Sequence, residues 1–308
     1  MRKACSDKIV EMALDDPRIV FIGSDLGAGA MANFQELRPE RFFMEGISEQ
    51  HIVGFAAGLA MEGFVPVVNT IATFLTRRAF EQIAMDICLQ KLPVILMGNG
   101  GGLVYAHLGP SHLAVDDIAL LRLMPDMTVL CPGDSMEVRM LLEQAIENQT
   151  PTYIRVGPAN TPDLPHGDVS PVIGVPVSLL YADQVIIFST GFVTHQVLAA
   201  ASLLRAQGIE AGVVHVHTIK PLYLDQVIDL LRKATLIVTV EEHNRIGGLG
   251  SALLEGLSDA KLPCPVLLRL GIPDCYPDGY GDQAYLLEKY GLSAEKIAHA
   301  VRLSYLSL

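Results

Sequence analysis

Residues 44–60 read Met44-Glu45-Gly46-Ile47-Ser48-Glu49-Gln50-His51-Ile52-Val53-Gly54-Phe55-Ala56-Ala57-Gly58-Leu59-Ala60. A polar Ser-Glu-Gln-His opening runs straight into small and apolar residues, and the pattern predicts a helix over about residues 51–62, with Glu49 in or beside its first turn. Ser48 has the chemistry of an N-cap. Gly54, Ala56, Ala57, Gly58 and Ala60 let a neighbouring backbone approach on any face. A helix that is apolar all round belongs inside a protein, so Glu49 is expected at the mouth of a buried element. A carboxylate there needs a specific partner. From this helix alone two roles stay open: a capping group, or an acid with work to do.

Outward from this helix, short apolar runs alternate with longer helical patterns, the signature of α/β units around a mostly parallel sheet. Strands are expected at 18–23, 65–69, 93–98, 128–130 and 152–155, and helices at 4–14, 79–89, 116–123 and 135–147. Between 157 and 176 the periodicity disappears among prolines, glycines and aspartates. A second series follows, with strands at 184–188, 211–216 and 235–240 and helices at 193–207, 224–233 and 293–308. The expected organisation is therefore two α/β domains, 1–160 and 179–308, joined by a linker at 161–178, in keeping with the length of 308 residues.

Half of the residues are hydrophobic and 18% are charged, which suits two buried cores. A net charge of −12 argues against nucleic acid or an anionic membrane surface as partner. No apolar run reaches the roughly 20 residues of a membrane span. The opening Met1-Arg2-Lys3-Ala4-Cys5 has no apolar stretch behind it and does not read as a secretory signal. Five widely spaced cysteines without a Cys-x-x-Cys pair favour reduced thiols and a cytoplasmic location over disulfides or a zinc site.

Gly46-Ile47-Ser48-Glu49-Gln50-His51, followed by Ala56-Ala57-Gly58-Leu59-Ala60, resembles the pyrimidine domain of transketolases and deoxyxylulose-phosphate synthases. Thr218-Ile219-Lys220-Pro221-Leu222, Val240-Glu241-Glu242-His243-Asn244, Gly247 to Ser251, Gly271-Ile272-Pro273-Asp274 and Leu287 to Leu292 resemble the C-terminal domain of the same family, in the same order. The resemblance implies thiamine diphosphate as cofactor and transfer of a two-carbon ketol unit between sugars or sugar phosphates. In that family the glutamate matching Glu49 bonds N1′ of the aminopyrimidine and promotes the imino tautomer that takes the thiazolium C2 proton; a buried carboxyl suits that task.

The same resemblance nominates further residues. In Thr73-Phe74-Leu75-Thr76-Arg77-Arg78-Ala79-Phe80, either Phe74 or Phe80 would lie against the aminopyrimidine, and the spacing around the two arginines departs from the synthase pattern. Gly98-Asn99-Gly100-Gly101-Gly102 lacks the spacing of a phosphate loop and reads as room for a cofactor or a facing subunit. Leu108-Gly109-Pro110-Ser111-His112 resembles the Gly-Pro-Thr-His element, whose histidine lies over the reacting carbon and donates to a developing oxyanion. Arg155 and Arg2 match phosphate-binding arginines, and a guanidinium at a strand end also forms salt bridges. Asp25 matches an acidic position near the subunit interface on the cofactor side, or else is a turn carboxylate.

Three departures matter. An aspartate that bonds a donor hydroxyl is replaced by Leu108, and a basic residue that grips the donor phosphate is replaced near Gly100. Both changes predict a donor pocket that is less polar and roomier, and a donor other than an ordinary pentose phosphate. The Gly-Asp-Gly motif that holds diphosphate through magnesium is absent from the sequence. The resemblance then implies a split enzyme: a second subunit, the N-terminal half, supplies diphosphate and Mg2+ binding in a heterotetramer with two copies of each chain. The beta subunit of a thiamine-dependent 2-oxoacid dehydrogenase and a non-catalytic scaffold subunit are the alternatives; Leu108–His112 and Val240–Asn244 favour the transketolase branch, and Glu49, Phe74 and His112 together speak against a scaffold.

Overall fold

The computed structural model describes all residues except 25–28, 30 and 263. Among the described residues there are twelve strands: β1 (Ile19–Gly23), β2 (Phe42–Met44), β3 (Val65–Ile71), β4 (Ile95–Asn99), β5 (Thr128–Leu130), β6 (Thr152–Val156), β7 (Val177–Leu180), β8 (Val185–Ser189), β9 (Ala211–His215), β10 (Thr218–Lys220), β11 (Leu236–Asn244) and β12 (Val266–Ile272). They form a seven-stranded sheet in the order β10-β5-β6-β4-β3-β1-β2 and a five-stranded sheet in the order β12-β11-β8-β9-β7. All neighbours run parallel except β10 with β5 and β7 with β9. Strands such as β1, β4, β6 and β8 are buried along their whole length, because helices cover both faces; this is why they read as unbroken apolar runs. The expected α/β architecture of two mostly parallel sheets stands.

Several local expectations change. β7 begins at Val177, inside the stretch expected to be linker. The helix expected at 79–89 is a short turn at Phe80–Gln82 continued by a π-helix over Ile83–Cys88, and a separate helix, Ala72–Arg78, follows β3 directly. The two halves also share material. β10 leaves the second half to pair with β5, with Thr218 opposite Leu130. One apolar cluster joins Val129, Cys131 and Tyr153 to Phe188, Val214, Ile219 and Leu249. Among the described residues no helix is long and apolar enough to cross a membrane.

Candidate active site at the mouth of the 49–61 helix

The helix Glu49–Met61 buries Glu49, Ile52, Val53, Ala56, Ala57 and Ala60, one face at helical spacing. It is not enclosed on all sides as its composition predicts. His51, Gly58 and Met61 are exposed, and Gly54, Phe55 and Leu59 are half-buried, so an apolar face is open in the single chain. Ser48 stands at the N-cap position but makes no cap; its hydroxyl donates to the Glu45 carbonyl at 3.0 Å. Glu49 is only 3% exposed, yet it lines a cleft of about 400 Å³ with Ile47, Ser48, Gln50, His51 and Arg78. Arg78 Nη1 donates to Glu49 Oε2 at 3.0 Å.

Arg78 ends the helix that follows β3, four residues after Phe74, so the two side chains share a face. Its guanidinium lies 4.0 Å from the Phe74 ring centroid, a cation–π contact. The other neighbour of that ring is His112, edge-on with centroids 4.9 Å apart, whose Nδ1 is 3.0 Å from Ser111 Oγ. A continuous chain of contacts therefore runs Glu49–Arg78–Phe74–His112. Phe80, the other aromatic candidate, packs against the apolar core instead. The preceding residue, Arg77, bonds Asp116 at 2.9 Å and the Leu113 carbonyl at 3.3 Å, which ties the segment after His112 to this helix.

His112 belongs to a loop whose neck is closed by two backbone bonds, Gly102 N–H to Ala114 O at 2.9 Å and Ala114 N–H to Gly102 O at 3.1 Å. The glycines before it are not spare room. Gly100, at φ +74°, lies under the Tyr105 ring; Gly101 faces the Arg155 side chain; Gly102, at φ +69°, faces the Glu242 carboxylate, whose Cδ would be 2.7 Å from a Cβ. Each position receives a side chain of this protein, so the space expected near Gly100 is filled. Leu108 is 43% exposed, as an apolar replacement at the loop surface.

Arg155 lies inside the protein near the end of β6. It is 5% exposed, with Nε 2.8 Å from Asp117 Oδ2 and Nη2 donating to Asp117 Oδ1, the Ala114 carbonyl and the Glu242 carbonyl. Burial pushes the Asp117 carboxyl up, but the Arg155 guanidinium, His243 and the Tyr153 hydroxyl together hold it below the usual carboxylate range. Nε and Nη2 are thus committed to groups of the protein itself. Arg2 lies by the loop: its Nη2 donates to the Tyr105 hydroxyl at 2.7 Å, and its buried Nε has no partner among the described residues. Asp25 lies outside the described residues.

Two residues that the sequence does not single out take part in this geometry. Arg78 is hidden in a pair of arginines whose spacing fits no simple pattern. Glu242, on β11, accepts from Leu103 N–H at 2.6 Å across 139 positions of sequence, which no local signal reveals. Burial raises its carboxyl above the ordinary range, against the opposing pull of Arg155. Among the described residues no cluster of His, Cys, Asp and Glu has the makings of a metal site.

Comparison with known proteins agrees with this architecture. The pyrimidine-binding domain of transketolase matches residues 1–162, and the transketolase C-terminal domain matches residues 179–297. The 1-deoxy-D-xylulose-5-phosphate synthase of Caldanaerobacter subterraneus subsp. tengcongensis is 37% identical over 300 residues, covering 96% of this chain and 47% of the synthase. This chain thus spans about half the length of the synthases it matches. One of the subunits of the apulose-4-phosphate transketolase of Phocaeicola vulgatus is 34% identical over 298 residues, 96% of this chain and 94% of that subunit. A solved split-gene transketolase, described as an inactive beta4 tetramer, superposes with a TM-score of 0.88 at 37% identity over 98% of this chain and 96% of its own. With both domains matched in order, the chain belongs to the transketolase family of thiamine-dependent enzymes.

Proposed function

We propose that this chain is the pyrimidine-side subunit of a split transketolase, moving a two-carbon ketol unit from a ketose to an aldehyde. The observation that carries this reading is the unbroken run of contacts Glu49–Arg78–Phe74–His112, which begins at the open cleft that Glu49 and Arg78 line. The residues fit an aminopyrimidine. Glu49 is a buried carboxylate that reaches the cleft, and its partner Arg78 is half in solvent and free to turn away. Phe74, not Phe80, offers the flat apolar ring beside it. Bound there, thiamine diphosphate supplies the nucleophilic carbon that carries the ketol unit between substrates. Glu49 would bond the pyrimidine N1′, Phe74 would lie against the aminopyrimidine, and His112 would donate to the substrate oxygen as charge develops on it.

In this reading diphosphate and Mg2+ binding belong to a second subunit. The near full-length likeness to a protein named as one subunit of a transketolase supports that division of labour. The open apolar face of the 49–61 helix, with Phe55, Gly58 and Met61, is the surface a further subunit would cover. For the donor, Leu108 removes a hydrogen-bonding carboxylate, and the space by Gly100 is closed by Tyr105, so recognition beyond the reacting carbon rests on Arg2 and Tyr105. The expected donor remains a modified or unphosphorylated ketose.

The test is reconstitution. The chain alone and the chain with a partner carrying Gly-Asp-Gly are assayed for thiamine diphosphate binding and ketol transfer. Both activities are expected only in the mixture. Strong magnesium-dependent binding or turnover by the isolated chain would refute the split reading. In the mixture, xylulose 5-phosphate as best donor by a wide margin would overturn the expectation about substrate.

A further inference from the structure

We infer that Glu242, a residue of the second domain, is a positioning residue for His112: its carboxylate sets the neck of the loop that carries the histidine. This rests on the proposed role of His112. The loop leaves β4 at Asn99, is pinched where Gly102 and Ala114 exchange backbone bonds, and returns to the helix Asp117–Arg122. Everything between, including the 3-10 turns at Ala106–Leu108 and Pro110–His112, projects from that neck.

Both sides of the neck are tied to the second domain. On one side Glu242 Oε1 accepts from Leu103 N–H at 2.6 Å, and the same oxygen accepts from Gln283 Nε2 at 2.7 Å, which holds the carboxylate in place. On the other side Arg155 Nη2 donates both to Ala114 O, at 2.7 Å, and to the Glu242 backbone carbonyl, at 2.9 Å. A third tie, Asn244 N–H to Val115 O at 2.8 Å, continues the seam. Gly102 has no side chain where the carboxylate passes. Leu103 is buried, so without Glu242 its N–H loses its acceptor and the neck must shift to find another. Since His112 lies two residues before Ala114, such a shift reaches the imidazole directly.

The test uses the full chain without cofactor or partner, so it stands or falls apart from the thiamine reading. Glu242→Ala, Glu242→Gln and the parent are compared by hydrogen exchange over 103–112 and by the NMR shift of the His112 ring, which Phe74 perturbs edge-on. Glu242→Ala is expected to speed exchange in the loop about tenfold or more, while both sheets stay protected, and to move the His112 resonance. Glu242→Gln, which keeps an acceptor oxygen, is expected to restore both. Loop exchange and a His112 resonance that are unchanged in folded Glu242→Ala would overturn the inference, as would a Gln variant that behaves like Ala. If Glu242→Ala does not fold, Gln283→Ala frees the same carboxylate from one side; a loop unaltered in that variant also overturns it.

Discussion

Two arginine–carboxylate pairs flank the same loop system, and they behave as opposites. Arg155 and Asp117 are 5% and 0% exposed, joined at 2.8 Å, and the arginine makes two further bonds to backbone carbonyls. Arg78 and Glu49 are 48% and 3% exposed, joined by one 3.0 Å bond at the edge of a cleft. The first pair has nowhere to go: separation would leave a charge in a dry interior. The second has water on one side, so the arginine can leave while the carboxylate stays. Chemistry is expected where the pair can separate, and architecture where it cannot.

The sharpest way to break this contrast is at Glu49. In the reconstituted enzyme, Glu49→Gln is expected to slow proton exchange at thiazolium C2 by about 10²–10⁴-fold, the usual range for losing a positioned acid–base group. Folding should be unaffected. Undiminished exchange would return Glu49 to the role of a residue that merely opens a helix. The locked pair predicts a different failure. Arg155→Met leaves Asp117 buried without its cation and should cost about 3–5 kcal/mol in denaturant unfolding. A loss under about 1 kcal/mol would mean that water reaches the seam, and the two pairs would no longer differ in kind.

A third group of charges, buried near the linker, sharpens the contrast through pH. Asp134 Oδ2 is 2.8 Å from His166 Nε2, Glu137 Oε2 is 2.9 Å from His215 Nε2, and His217 lies alongside with its Nε2 unpartnered among the described residues. Burial pushes His217 down to about 4 despite the pull of Glu137. Its folded value lies below its unfolded one, so the unfolded chain takes up the proton first. Stability should fall as pH drops from 6.5 to about 4, by on the order of 3 kcal/mol for this group. His166 moves the other way. Burial lowers it, but its bond to Asp134 and the charge of Glu137 raise it overall, so its contribution is present below the unfolded value and lost as pH rises through the folded one. Denaturation midpoints against pH should show both limbs, with His217→Asn flattening the acid one. An acid limb unchanged in that variant would assign it to the carboxylates. The smallest effect belongs to Arg78→Ala: within about 1 kcal/mol of the parent by the same unfolding measurement, because a half-exposed pair contributes little. A loss comparable to that of Arg155→Met would erase the distinction.

The α/β alternation is legible in the sequence because strands covered on both faces are continuous apolar runs with turn residues between them. Glu49 and His112 are nominated as motif positions, and the aromatic beside them only as Phe74 or Phe80. Other features are hidden for physical reasons. The helix Ala72–Arg78 continues the apolar run of β3 without a break or a cap, so no local signal separates them. Arg155 carries a guanidinium that suits phosphate and carboxylate equally, and its bond to Asp117, 38 residues away, leaves no local trace in the sequence. A bare glycine at position 100 reads as space for substrate, whereas the Tyr105 ring, five residues on, lies over it. Glu242 acts across domains, where periodicity carries no information.

The three residues of β10 have a consequence for any shortened form of this protein. By pairing with β5, they close one margin of the first sheet with chain that comes from beyond the linker. The first 176 residues expressed alone would leave the backbone donors and acceptors of Thr128–Leu130 open on that side. Such an uncovered margin is a template for strand addition between molecules. The fragment would retain Glu49, Phe74 and His112, yet self-association through that margin is its expected fate.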